Sequence, residues 1–160
     1  MTAKELMKQC EAEEKELKFR EFSSETALAI GMALIEEAKN RNNKICIDIA
    51  IAGRRLFHYS SDGNAVSNDI MIERKKKTAM HTGHSSLWAH YMLEDCGMNI
   101  KEKWALEPSE YAQVGGAFPI RLENCQTAIG TITCSGFNHE QDHSTVSYTH
   151  LRAHETSQDL

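Results

Sequence analysis

Residues 45–52 read ICIDIAIA, and this alternation constrains the fold more than any other stretch of the chain. At a period of two, Ile45, Ile47, Ile49 and Ile51 share one face of a strand, while Cys46, Asp48, Ala50 and Ala52 share the other. Gly53 turns the chain at once into RRLFHYS, so the pair reads as an antiparallel hairpin with one apolar and one mixed face. Such a sheet needs helices to cover it. Leu6, Cys10, Glu13 and Leu17 form a thin stripe on a charged opening helix, expected to lie over the surface. Ser23-Ser24 offers an N-cap for a second helix, with Ala27, Leu28, Gly31, Leu34, Ile35 and Ala38 at helical spacing.

Further along, Ser61–Asn64 is a loop that leads into a basic helix from about Asn68. A turn at Gly83 separates it from a helix that begins near Ser85, buries Leu87, Trp88, Tyr91 and Met92, and ends at Gly97. Pro108 suits the first position of a short helix. Gly115-Gly116 marks a close bend before strands at Ala117–Leu122 and Thr127–Cys134, and Asn138 caps a closing helix. Hairpins with helices between them define an α+β domain, an antiparallel sheet with helices packed on it.

Composition sets outer limits. The 160 residues carry a formal charge of −5, which argues against a general nucleic-acid binder. No segment approaches the roughly 18 uninterrupted apolar residues of a membrane span, and the N-terminus turns charged at once without an apolar signal core. Cys10, Cys46, Cys96, Cys125 and Cys134 are odd in number and far apart, with no disulfide framework and no C-x-x-C motif. A reducing cytoplasm is the expected setting.

One stretch stands apart from the fold. Val146–Thr156 reads VSYTHLRAHET, which resembles a transposon-derived sequencing adapter translated as protein. The expectation is a single native domain over residues 1–145 and a non-native tail over 146–160, with no functional weight on His150, Arg152 or His154.

Candidate chemistry concentrates in NDIMIERKKKTAMHTGHSS at the centre of the chain. On a helix Lys77, His81 and His84 fall at i, i+4 and i+7, with Arg74 on a neighbouring face. His84, Ser85 and Ser86 then sit at a helix N-terminus, where orphan N–H groups and the helix dipole favour an anion. These residues predict a cationic rim for phosphate or carboxylate groups, with Arg74 as a bidentate clamp; a solvated charged helix is the plainer alternative. His58, on the second hairpin strand, is read first as a hydrogen-bonded histidine and second as a ligand. His139-Glu140-Gln141-Asp142-His143 spells H-E-x-x-H. It opens a helix and places Asp142 inside the motif, so a zinc protease is not indicated, and His139 and His143 remain weak metal candidates. Glu140 and Asp142 read as first-turn dipole support. No P-loop, G-x-G-x-x-G or G-x-S-x-G signature occurs, and no catalytic residue is assigned.

In order and spacing, ALAIGMALIEEAKNRNNKICIDIAIAGRRLFHY, NDIMIERKKKTAMHTGHSS, GGAFPI and IGTITCSGFNHEQDH resemble one family over about Phe19–His143. It is the small intracellular branch of the haem-degrading-domain superfamily, related to GlcG, HbpS and the PduO C-terminal domain. The resemblance implies a profilin-like α/β/α sandwich around a five-stranded antiparallel sheet, symmetric homo-oligomers, and haem or a related tetrapyrrole as a ligand of some members. It places no axial haem ligand on this chain. The functional expectation is a cytosolic binding module for a small anionic ligand. An enzyme that degrades or modifies such a ligand, and an oligomeric interaction scaffold, are the alternatives.

Overall fold

In a computed structural model, which describes the backbone of residues 1–158 and the side chains of 1–149, the chain forms a five-stranded sheet and six helices. The side chains of His150, Arg152 and His154 lie outside the described residues. Strands β1 (Lys18–Phe19), β2 (Cys46–Ile51), β3 (Arg54–Ser60), β4 (Ala117–Leu122) and β5 (Gly130–Ser135) stand in the order β1-β4-β5-β2-β3. All neighbours are antiparallel except β1 and β4, which run parallel. The sheet is therefore mixed rather than antiparallel throughout. The exception is a two-residue strand with no period of its own, held to the edge by pairing with Arg121 and Leu122.

The isoleucine alternation does what its period dictates. Ile45, Ile47, Ile49, Phe118, Ile120 and Ile132 pack with Ile30, Leu34 and Val146 into one core. Helices α2 (Ser24–Asn40) and α6 (His139–Gln158) supply the cover on that side, and α2 opens with a capping box between Ser23 and Thr26. The opposite face of the sheet is small and polar. Asp48 pairs across β5 with Thr133, Ala50 with Thr131, and Cys46 with Ser135. Helix α3 (Val66–Thr82) lies over this face and buries Ile72, Lys75, Thr78 and Ala79.

The last strand begins at Gly130 rather than Thr127, Leu28 of the expected α2 stripe is exposed, and two expectations about helices also differ. The short helix α5 covers Ile100–Trp104, capped reciprocally by Asn99 and Glu102, whereas Pro108 sits in a turn. Asn99-x-x-Glu102 is itself the stronger start signal. Helix α1 (Ala3–Glu16) does more than lie on the surface: it packs against α4 (Ser86–Cys96) through Met7, Cys10, Leu87, Trp88 and Tyr91. The turn between α3 and α4 is set by Gly83, whose φ of 73° is the left-handed conformation that closes α3. That turn delivers His84 beneath α1.

Candidate functional site

A cavity of about 350 Å³ opens between α1, the α3–α4 turn and the β1–β4 edge, lined by Glu11, Glu14, Lys15, Lys18, His84 and Arg121. His84 forms its most specific wall. Its Nδ1 lies 2.8 Å from Oε1 of Glu14, a carboxylate only 5% exposed. Its ring stacks on Trp88 at 3.9 Å between centroids and 16° between planes. Trp88 is fixed in turn by donating its Nε1–H to Glu11 over 3.0 Å. A carboxylate on Nδ1 keeps a proton there and leaves Nε2 as the nitrogen available to a ligand. Arg121 braces the turn by donating to the carbonyls of Gly83 and Gln126. Lys15 and Lys18 have no ion-pair partner among the described residues, and the second oxygen of Glu14 is buried without a hydrogen bond among them. The site thus offers cations to an acid and one acceptor to a donor.

The residues singled out from sequence divide among several places. Arg74 donates to the carbonyl of Pro108 over 2.6 Å, Lys77 pairs with Glu110 at 3.7 Å, and the His81 ring meets Tyr111 and Trp104. These three face the 104–111 segment rather than the cavity. A row of rings nevertheless joins the groups: Tyr111, His81, Trp104, Trp88 and His84 follow one another at centroid separations of 6.1, 6.5, 6.5 and 3.9 Å. Ser85 and Ser86 are fully buried and already engaged. Ser85 caps α4 by accepting from the Trp88 N–H, and Ser86 accepts from the Ala117 N–H.

His58 belongs to a third place, on the polar sheet face beside α3. Its Nδ1 lies 3.4 Å from buried Asp48, and its Nε2 3.6 Å from Asp69. Asp48 also meets Lys76 and Arg55 at 2.8 Å each.

The two histidines of the H-E-x-x-H stretch face different partners. His139 Nδ1 accepts from the Gly115 N–H and its ring meets His90, with burial and the neighbouring histidine holding its pKa below the usual value. His143 is buried and lies 3.3 Å from Glu13 of α1. Cys10, Glu13 and His143 bring ligand atoms within 4.8 Å of one another, as do Cys46, His58 and Asp69. Asp142 stands in the first turn of α6, as its sequence position implies, but its carboxylate is also committed to the interior. It is 2% exposed, accepts from the Phe137 N–H and pairs with buried Lys75 at 3.1 Å. Burial pushes its carboxyl up to about 6, against the opposing pull of Lys75. Sequence reasoning missed this pair because Lys75 sits inside a run of four cations that reads as a solvated face.

This α/β/α architecture places the chain in a known class. It belongs to the family described as haem degrading protein HbpS-like, which matches residues 22–149. Among its relatives is a UPF0303 protein of Edwardsiella ictaluri, 35% identical over 147 residues that cover 92% of this chain and 93% of that one. A UPF0303 protein of Streptomyces coelicolor is 35% identical over 136 residues, 85% of each chain. The crystal structure of Ybr137w protein superposes with a TM-score of 0.88 at 29% identity, covering 95% of this chain and 89% of that one. The structure of PduOC in complex with haem shares the fold, with a TM-score of 0.67 at 18% identity over 82% and 94% of the two chains.

No helix among the described residues is long and apolar enough to cross a membrane.

Proposed function

We propose that this protein is a binding module for an acidic, planar ligand of the haem or tetrapyrrole class, seated at the His84 cavity. One observation carries the reading: an imidazole oriented by a buried carboxylate and stacked on an indole forms the wall of a cavity rimmed by Lys15, Lys18 and Arg121. Carboxylate groups of the ligand meet the lysines through charge-assisted bonds, and Nε2 of His84 faces its metal or a polar edge. The haem complex of a protein that shares the fold supports the ligand class. Arg74, Lys77 and His81 form a second cationic face, at the far end of the row of rings.

Haem titration followed by absorbance tests the proposal. The Soret band should shift and saturate with the wild-type chain, and His84→Ala should weaken binding at least tenfold. A Soret shift that is the same in His84→Ala would remove this site. Peroxide plus reductant, added to the loaded protein, separates retention of the band from its loss at turnover, which is the signature of a degrading enzyme.

The reading includes a cytoplasmic setting and a homo-oligomer. Free thiols at all five cysteines fit the former. Exposed Leu28 and Met32 on α2, and Val66 and Ile70 on α3, offer apolar surface for the latter. Light scattering should give a mass above the monomer at tens of micromolar, and a lone monomer there would reject assembly.

A further inference from the structure

The hairpin and helix α3 together carry a set of side chains that the His84 cavity does not use, at the opposite edge of the sheet. Period-two geometry puts Cys46 and Asp48 on the same face of β2, and the β2–β3 register sets His58 directly opposite Asp48. The first turn of α3 passes over this face and adds Asp69. Cys46 Sγ lies 3.1 Å from Asp69 Oδ1, and His58 Nε2 lies 3.6 Å from the same oxygen. All three ligand atoms fall within 4.8 Å of one another.

Those separations match a tetrahedral site. With zinc bonds of about 2.0–2.3 Å, adjacent ligand atoms stand roughly 3.3–3.7 Å apart, so one cation can reach all three groups with small side-chain shifts. The histidine is also oriented for the task. Its Nδ1 faces the buried Asp48 carboxylate at 3.4 Å, the arrangement that fixes a metal-binding imidazole and presents Nε2 outward. Asp48 is itself held by Lys76 and Arg55. A thiolate, an imidazole and a carboxylate together suit a borderline-soft divalent ion rather than magnesium or calcium.

The second cluster is less suited. Glu13 at Cys10–Glu13–His143 is already committed to Ser147 at 2.7 Å and to His143, and Nδ1 of His143 is buried with no hydrogen-bond partner among the described residues. Nothing there orients the ring as a ligand.

We propose that Cys46, His58 and Asp69 form a binding site for zinc or a chemically similar divalent transition metal, with Asp48 positioning His58 and a fourth coordination position open to water or an anion. Binding exchanges the thiol proton, which now hydrogen-bonds to Asp69, for the cation, and releases that proton to solvent. The site ties β2, β3 and α3 together.

The test is a titration of the purified, metal-stripped full chain with cobalt(II), followed by displacement with zinc(II). One equivalent should produce a thiolate-to-cobalt charge-transfer band together with tetrahedral d–d absorption, and zinc should abolish both. Cys46→Ser should remove the charge-transfer band, and Cys10→Ser should retain it. His58→Ala should weaken cobalt binding at least tenfold, and Asp48→Asn about 10–100-fold with the charge-transfer band retained at saturation. If Cys46→Ser does not fold, His58→Ala decides, because that side chain is 34% exposed and its loss leaves the core intact. Absence of any thiolate band in the wild-type chain overturns the proposal. So does a band that is lost in Cys10→Ser and kept in Cys46→Ser, or one unaffected by His58→Ala.

Discussion

His84 and Glu14 meet at 2.8 Å across the interface between the α3–α4 turn and the opening helix, 70 residues apart in sequence. That pair makes α1 a wall of the cavity rather than a decoration of the surface. Glu14 is 5% exposed, so its charge is expressed in a poorly solvated setting, where it acts on the imidazole with little screening. Glu14→Gln preserves shape and removes the charge. It should weaken haem binding about tenfold while leaving the fold intact, as read by the Soret titration alongside far-ultraviolet circular dichroism. Unchanged affinity would show that the carboxylate has no part in recognition.

The cations of the rim and those of α3 are separable by the same titration. Lys18 lines the cavity, whereas Arg74 is committed to the Pro108 carbonyl. A charge-assisted bond contributes roughly 1.5–3 kcal/mol, so Lys18→Ala should weaken binding by about 10–100-fold. Arg74→Ala should cost less than Lys18→Ala if the ligand sits at His84, and more if it sits against Tyr111. Lys44→Ala, outside both groups, controls for bulk electrostatics.

Much of this framework was legible in the sequence, and the remainder fails for identifiable reasons. The isoleucine period, the Ser23 cap, the helix start near Ser85 and the glycine stops at Gly83 and Gly97 are local signals, and each reappears at the expected place. Strand β1 exists only through its pairing with β4, so no local pattern announces it. His84 was visible as chemistry beside a helix start, but its partner Glu14 and the cavity's Arg121 come from distant elements. Cys46, His58 and Asp69 lie on three elements and share no sequence motif. One signal was available: an aspartate in the middle of an isoleucine strand must find a buried partner, and the returning strand of the hairpin carries His58 opposite it.

Lys75 and Asp142 illustrate the same blindness and support a stability prediction. Both side chains are almost wholly buried, and Lys75 also donates to the Cys134 carbonyl over 3.1 Å. Removing one member of a buried pair strands the other, typically at a cost of about 3–5 kcal/mol, whereas replacing both is much milder. Lys75→Met and Asp142→Ala should each lower the denaturation midpoint strongly, the second because it also removes the acceptor of the Phe137 N–H. The double variant should lose less than the sum of the two. Strict additivity would mean that the ion pair carries no coupling.

Asp142 also sets a sign for pH dependence. Burial raises its carboxyl from 3.8 to about 6, so between these values the folded state holds the proton more tightly than the unfolded chain. The contribution of this group is therefore most favourable below about pH 4 and declines as pH rises through 6. Subtracting the stability curve of Asp142→Asn from that of the wild type should leave a difference that falls across this window. A difference that is flat, or that rises with pH, would show that the carboxyl is not raised in the folded protein.

The closing helix yields the last prediction, because its sequence and its packing suggest different boundaries. Val146 begins the adapter-like stretch, and that resemblance alone puts the end of the functional fold at Thr145 with no loss on truncation. Helix α6 nevertheless continues to Gln158, Val146 is fully buried in the main core, and Ser147 donates to Glu13 over 2.7 Å. Burying a valine contributes about 1.5–3 kcal/mol, and a hydrogen bond to a carboxylate roughly 1.5–3 kcal/mol more. For a chain of this length, the combined loss lowers the melting temperature by roughly 5–20 °C. A chain ended after Thr145 should therefore melt well below the full chain. One ended after Thr149 keeps both contacts and should melt above the chain ended after Thr145. If the two truncations melt together with the full chain, Val146 and Ser147 do not pack as described.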